Sequence, residues 1–198
     1  MHINFKTLLV VLCLLACVAT QSPAITTRAQ ANLIRRAEAV TGDRFRFETE
    51  TAAGVQVYSV SKPAPAMLGA IDEGFRDLAA VANRNGYRAR LKASDYTVFI
   101  ARADRTKDSR GSYSPDLQIG AANYGGSVYD RGGYIFVAGM VLAFEPGAFV
   151  IPEHTREWTR VRDVVRYEGE HIVLFHNDRK RYDATADHSR GGGHPILR

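Results

Sequence analysis

Histidines near the C-terminus are the residues of this chain with the clearest capacity for chemistry. Five of the six histidines fall within the last 45 residues, among many acidic residues, and the sixth is His2. Histidine is the most common metal ligand and the usual general base near neutral pH. We therefore expect a catalytic or metal-binding site to be built from the C-terminal quarter of the chain.

The run Tyr167-Glu-Gly-Glu-His171 lies in a segment whose apolar spacing predicts a helix. At about 100° per residue, Glu168 and His171 share one face of that helix, while His176 points away from it. A carboxylate and a histidine three residues apart can chelate one cation from a helix face. Gly169 costs a helix about 1 kcal/mol relative to alanine, which indicates a break or the close approach of another backbone or a ligand.

The same five residues resemble the His-x-x-Glu-His motif of the zinc peptidases with an inverted motif, with Tyr167 in place of the first histidine. The resemblance covers these five residues only. It implies a zinc site in which His171 is a ligand and Glu170 is the general base. Catalytic zinc usually takes three protein ligands and one water, so other ligands are needed. The candidates are Glu168, His154, His188 and His194.

The first functional hypothesis is therefore an exported, zincin-like, metal-dependent hydrolase that acts on peptide or cell-envelope material. Its cofactor would be zinc or another divalent transition metal, which lowers the pKa of bound water and so makes it nucleophilic. The glycine run Gly191–Gly193 lets the chain fold tightly between His188 and His194, so that both could reach one ion.

Two alternatives stay open from the sequence. One is a non-catalytic, envelope-associated binding lipoprotein with a contact surface formed by Tyr113, Tyr124 and Tyr129. The other is a secreted nuclease, because Asp187-His188 and the following Ser-Arg-Gly-Gly resemble pieces of the HNH nucleases. The net charge of +5 permits a nucleic-acid partner but does not require one, and we disfavour it.

The N-terminus predicts export. Leu8–Val18 is an apolar stretch that is short for a membrane span and is followed by small and polar residues, which is typical of a signal peptide. We expect the signal to occupy residues 1–24. Within it, Leu14-Leu-Ala-Cys17 resembles the bacterial lipobox, in which the cysteine is lipidated and anchors the protein to a membrane. The expected location is thus the periplasm, the outer membrane as a lipoprotein, or the extracellular space.

Residues 25–198 are expected to form a single globular domain of the α+β class. Both cysteines, Cys13 and Cys17, belong to the signal, so the domain must be held by an ordinary apolar core. Helical spacing covers residues 25–40 and 68–82, alternation predicts a hairpin over residues 44–60, and apolar runs predict strands at 96–101, 134–144 and 148–151. The expected architecture is a small, mostly antiparallel sheet packed with helices, followed by a C-terminal helical region that carries the site and begins at a Thr155 cap.

Overall fold

The computed structural model describes residues 28–104, 116–124, 133–142, 145, 147–186 and 193–198. The chain divides into two compact units, residues 1–31 and 32–198, and of the first unit only residues 28–31 are described. Several features predicted from the sequence lie outside the described residues: the export signal, Cys17, His188, Tyr113, Tyr129 and the side chain of Tyr124.

The described part of the chain contains four α-helices and seven β-strands. The helices are α1 (Arg28–Thr41), α2 (Pro65–Arg84), α3 (Trp158–Asn177) and α4 (Arg179–Thr185). The strands are β1 (Phe47–Glu50), β2 (Gln56–Ser59), β3 (Thr97–Ala101), β4 (Leu117–Gly120), β5 (Tyr134–Val137), β6 (Met140–Val141) and β7 (Ala148–Pro152).

Five strands form one mixed sheet in the order β1-β2-β3-β7-β6, and β4 and β5 pair separately. Of the five strand pairings in the described residues, three are antiparallel, and helices cover the sheet, so the predicted α+β class is confirmed. The centre of the large sheet, β2-β3-β7, is parallel. Neighbouring parallel strands need a connection that crosses from one end of the sheet to the other. Between β2 and β3 this crossover connection contains α2.

The sheet is buried on both faces. Along β3, Val98 and Ile100 pack into the layer formed with α2 and α3, whereas Phe99 and Ala101 pack into the layer that includes β4. Every residue of β7 is buried. Central strands covered on both sides are apolar throughout rather than alternating, which explains why β7 was recognisable as an unbroken apolar run.

Local signals in the sequence place most element ends correctly. The predicted hairpin is confirmed as the antiparallel pair of β1 and β2. Gly42 and Gly86, which follow α1 and α2, have φ values of +72° and +83°, a conformation that favours glycine at the end of a helix. The predicted Thr155 cap is wrong, because α3 begins at Trp158 with Glu157 at the N-cap position.

Two glycines allow α2 and α3 to pack closely. A Cβ on Gly74 of α2 would lie 2.7 Å from the backbone oxygen of Arg162 and 2.7 Å from Cβ of Val165. A Cβ on Gly169 of α3 would lie 2.3 Å from Cδ2 of Leu78. The helix does not break at Gly169. Its glycine is explained instead by the close approach of the Leu78 side chain.

We expect Gly74→Ala to destabilise the fold by about 1–3 kcal/mol. The new methyl group would clash with the backbone oxygen of Arg162 and push α3 away from α2. Gly69 is the matched control, since it lies in the same helix with nothing within 4 Å of a built Cβ. Gly69→Ala should raise stability by up to about 1 kcal/mol through helix propensity. Urea unfolding of both variants measures the difference, and equal effects would contradict the proposed close contact.

Candidate metal centre

The site lies on the second half of α3, which is the buried half of that helix. The side chain of Glu170 is completely buried, and His171 is only 6% exposed. Polar groups of this kind are rarely buried without partners, because desolvation of a charged or polar atom is costly unless a hydrogen bond replaces the lost water. The partners of both residues are supplied largely by the C-terminal tail, residues 193–198.

His194 in the tail faces His171 on the helix. Their Nε2 atoms are 3.2 Å apart, and the two rings meet edge to face with centroids separated by 4.9 Å. On its other side, the ring of His194 stacks on Tyr167, with centroids 4.9 Å apart and an angle of 15° between the planes. The position and the plane of the His194 ring are therefore set by contacts with two residues of α3.

Glu170 connects the tail to the helix. Its Oε2 accepts a hydrogen bond from the backbone N–H of Ile196 at 2.7 Å and lies 3.4 Å from Nδ1 of His194. Its Oε1 is 3.3 Å from Nε of Arg166, one turn earlier in the helix. A proton on Nδ1 that points toward Glu170 leaves Nε2 of His194 as the nitrogen with a lone pair, and this nitrogen faces His171.

Further contacts hold the tail in place. Arg166 donates to the carbonyl of Leu197 at 3.0 Å, and Arg181 donates to the carbonyl of Ile196 at 2.6 Å. The side chain of Leu197 is fully buried in the core that also contains α2 and α3. The tail is thus anchored by an apolar side chain as well as by hydrogen bonds.

Glu168 lies close enough to the same cluster to interact electrostatically with His194. Its carboxylate accepts a hydrogen bond from the backbone N–H of Val141, and a Cβ on Gly139 would lie 3.1 Å from its Oε1. The residue as a whole is partly exposed, but its carboxylate is covered by this segment. Burial raises the pKa of Glu168 to about 7, against the opposing effects of His194 and the Val141 hydrogen bond.

Two other histidines do not join the cluster. His154 precedes α3, where its Nδ1 lies 3.3 Å from Oε2 of Glu157, so it is roughly 20 Å along the helix axis from His171. Burial lowers the pKa of His154, although Glu157 acts in the opposite direction. His176 packs edge-on against Phe175. The structure thus brings together Glu168, Glu170, His171 and His194 from the candidates, and separates His154 from them.

The sequence interpretation missed the roles of Tyr167 and Arg166. In the zinc-peptidase resemblance Tyr167 only stands where the motif has a histidine. Its position four residues before His171 places both side chains on one helix face, and this spacing was the available signal. The contact of Arg166 with Leu197 had no local signal, because the two residues are distant in sequence.

The Nε2 atoms of His171 and His194 are at hydrogen-bonding distance, and the same spacing suits two ligands of one metal ion. Ligand nitrogens at about 2.0–2.1 Å from a tetrahedral zinc are about 3.3 Å apart, which is close to the observed 3.2 Å between His171 and His194. A carboxylate near the other nitrogen of a histidine ligand, as Glu170 is here, is the usual supporting contact. No group of three or more histidine, cysteine, aspartate or glutamate side chains in the described ranges is arranged to hold an ion.

A scan against protein-family models and searches of the curated proteins and of the solved structures find no match to this chain. In the part of the chain that the structure describes, no helix has both the length and the apolar character needed to cross a membrane.

We expect Glu168→Gln to change the pH dependence of stability. Because the pKa of Glu168 is raised from 4.5 to about 7 on folding, the protonated residue contributes stability that is fully present below pH 4.5 and is lost as the pH rises through 7. Glu168→Gln lacks this loss of stability. Its free energy of unfolding, relative to that of the wild type, should therefore increase between pH 4.5 and 7.

Urea unfolding at stepped pH, in buffer with a metal chelator, measures this effect. Glu73→Gln is the control, because the Glu73 side chain is 55% exposed and lies far from the cluster in sequence. It should give the same difference from wild type at every pH. A difference for Glu168→Gln that does not vary with pH would contradict the assigned burial of the carboxylate.

We also expect Leu197→Ala to lower the free energy of unfolding by about 2–5 kcal/mol, because it removes a fully buried side chain that anchors the tail. Arg198→Ala changes the neighbouring exposed side chain and should alter stability by no more than about 0.5 kcal/mol. Urea unfolding compares the two variants. Equal, small effects would mean that the tail is not part of the folded core.

Proposed function

We propose that this protein is an exported, metal-dependent hydrolase of the zincin-like class that acts on peptide or cell-envelope material. The observation that supports this best is the 3.2 Å separation of the Nε2 atoms of His171 and His194. Imidazole nitrogens favour zinc and other divalent transition metals. Such an ion, when bound, polarises a carbonyl group and lowers the pKa of water, which is the chemistry of hydrolysis near neutral pH.

In this proposal His171 and His194 are the metal ligands. The described side chains form no three-donor group as they stand, so Glu168 becomes a third donor only when its carboxylate leaves the N–H of Val141. Glu168 is suited to this role because its carboxylate interacts electrostatically with His194 and shares a helix face with His171. Tyr167 covers one face of the His194 ring. A stacked ring both excludes water from that face and limits rotation of the imidazole, so the ligand nitrogen keeps its direction.

Glu170 takes the part of a positioning residue in the proposal, in place of the general base implied by the zinc-peptidase resemblance. The carboxylate is completely buried and already accepts a hydrogen bond from Ile196. A general base must come within hydrogen-bonding distance of the proton that it removes. Glu170 instead contacts Nδ1 of His194, where it holds the ring and favours a lone pair on Nε2.

Metal analysis of the purified protein without a histidine tag tests the proposal. We expect one equivalent of zinc, or of another divalent transition metal, to bind to the wild type. His194→Ala should weaken binding at least tenfold. His171→Gln should have a similar effect, and its smaller change in volume guards against misfolding of a residue that is largely buried.

The matched control is His176→Ala, which removes a histidine from the same helix but leaves the cluster intact. It should bind metal as the wild type does. The proposal is overturned if the wild type binds no stoichiometric metal, or if His176→Ala loses as much affinity as His194→Ala. Hydrolysis of casein and of cell-wall peptides should then depend on the metal: chelation should abolish it and added zinc should restore it.

A further inference from the structure

Basic side chains are concentrated where α2 and α3 end. Residues 83–92 contain no acidic residue and four basic ones, which are Arg84, Arg88, Arg90 and Lys92. Residues 176–183 contain two acidic residues and three basic ones, which are Arg179, Lys180 and Arg181. We call these two segments the basic patch. Its net charge of +5 equals that of the whole chain, so the rest of the chain has no net charge.

The two segments of the basic patch meet through uncharged groups. The Oδ1 atom of Asn177 accepts hydrogen bonds from the backbone N–H groups of Arg88 and Ala89, at 3.0 and 2.9 Å. Its Nδ2 atom donates to the carbonyl of Ala89 at 2.9 Å. Arg179 and Lys180 follow Asn177 by two and three positions, so their backbones lie within about 20 Å of Arg88. The basic residues of both segments therefore belong to one region of the surface.

Most cations of the basic patch have no carboxylate partner. Within the described residues, no ion pair is found for five exposed ones, which are Arg84, Arg88, Arg90, Lys92 and Lys180. Arg179 does pair with Asp183, at 3.0 Å. The first acid beyond the patch, Asp95, lies 3.4 Å from the backbone N of Lys92 and lowers the positive potential at that edge only. Crowded, unpaired charges of one sign repel each other and reduce stability, which an anionic partner would relieve.

Hydrogen bonds hold the backbone of the loop that carries these cations. Arg90 has a φ of +58°, a left-handed conformation that is uncommon for residues other than glycine. Its carbonyl accepts a hydrogen bond from the hydroxyl of the buried Tyr96 at 2.5 Å. The hydroxyl of Tyr87 donates to Asp178 at 3.1 Å. A partner would thus meet basic residues on a backbone that is already ordered, which reduces the entropy cost of binding.

The composition of the basic patch favours a lipid surface over a nucleic acid. Single strands bind by stacking bases on open aromatic faces, but Phe175 and Tyr182 pack edge to face with centroids 5.3 Å apart, and Arg179 lies over both rings. A duplex is commonly read by a helix in its major groove, whereas these basic residues come from a loop and from helix ends. The structure describes the whole patch, and no large hydrophobic side chain in it is exposed. Such a surface suits the phosphates of an anionic bilayer, where each Lys or Arg adds attraction.

We propose that the basic patch docks this protein on the surface of an anionic phospholipid bilayer. The binding is electrostatic and peripheral, and no side chain enters the hydrocarbon. Residue 176, where the patch resumes, is five residues beyond His171, or about 7.5 Å along the axis of α3. Docking would therefore hold the candidate metal centre near the bilayer. The docking itself requires neither a metal ion nor the lipid anchor predicted at Cys17.

Flotation of the full chain with vesicles, in the presence of a metal chelator, measures the docking. We expect vesicles of phosphatidylcholine with about 30% phosphatidylglycerol to bind about 100-fold more tightly than phosphatidylcholine alone at about 0.1 M salt, and this preference should disappear at about 1 M salt. The apolar residues 8–18 contribute equally to both kinds of vesicle, so the ratio reports the effect of charge. Arg84→Gln combined with Lys180→Gln should reduce the preference about tenfold.

The matched control combines Arg46→Gln with Lys62→Gln, which also removes one exposed arginine and one exposed lysine. Lys62 lies three residues before α2, whose 20 residues span about 30 Å, so it is at the opposite end of that helix from Arg84. Both double variants have the same net charge, and a difference between them therefore reports the position of the charge. The control should keep the preference of the wild type.

A third variant, Asp183→Asn, raises the charge of the basic patch by removing an exposed carboxylate. It should strengthen binding to the anionic vesicles about threefold, a gain that misfolding cannot produce. The inference is overturned if the wild type binds both kinds of vesicle equally, or if the two double variants lose the preference to the same extent. It is also overturned if Asp183→Asn does not strengthen binding, or if duplex DNA at an equal concentration of phosphate displaces the protein from the vesicles.

The docking surface and the metal-dependent hydrolase fail separately. Preference for anionic vesicles without stoichiometric metal would contradict the hydrolase and leave the docking surface. Stoichiometric metal without that preference would contradict the docking surface and leave the metal centre. The chelator ensures that vesicle binding is measured independently of any ion.

Discussion

The contact between the buried carboxylate of Glu170 and the C-terminal tail is the interaction on which the candidate site depends. A completely buried carboxylate would cost several kcal/mol if it had no partners. The N–H of Ile196 and Nδ1 of His194 both come from the tail, and Arg166 supplies the remaining charge from the helix. Docking of the tail thus satisfies Glu170 and brings His194 to His171 in the same step.

The apolar contacts of the tail make this arrangement stable enough to position a histidine. The side chain of Leu197 packs into the core formed with α2 and α3, and its backbone carbonyl accepts a hydrogen bond from Arg166. Close packing of these two helices requires glycine at positions 74 and 169. The site is therefore built on α3 and the tail, and β6 adds the hydrogen bond from Val141 to Glu168. The helix α2 and the rest of the sheet act through the apolar layer against which α3 packs.

A large part of the fold followed from local patterns. The apolar runs located β3 and β7, and helical spacing located α1, α2 and α3 to within a few residues. The parallel centre of the sheet was not evident, since strand direction depends on which strands become neighbours after the chain has crossed over. The prediction that the helix begins at a Thr155 cap was wrong for a related reason. The geometry of the connection after β7 decides where α3 begins, and this is at Trp158.

For the site, helical phase correctly separated His176 from His171. The confinement of histidines to the C-terminal quarter predicted the region in which we propose the site. Helical phase could not reveal that the Glu170 carboxylate accepts a hydrogen bond from the backbone N–H of Ile196. Nor could it reveal that His154 lies at the opposite end of α3. The role expected for Glu170 came from a five-residue resemblance, which describes neighbours in sequence only. Its burial depends on contacts with the tail, which is distant in sequence.

The sequence by itself determined which residue types are available and which of them share a helix face, because the α-helix repeats at a constant angle per residue. Only the tertiary structure decided which of these residues meet. His171 and His194 come within 3.2 Å because the tail docks on α3, where burial of Leu197 and the hydrogen bond from Ile196 to Glu170 stabilise it. These are long-range contacts, and neither periodicity nor spacing encodes them.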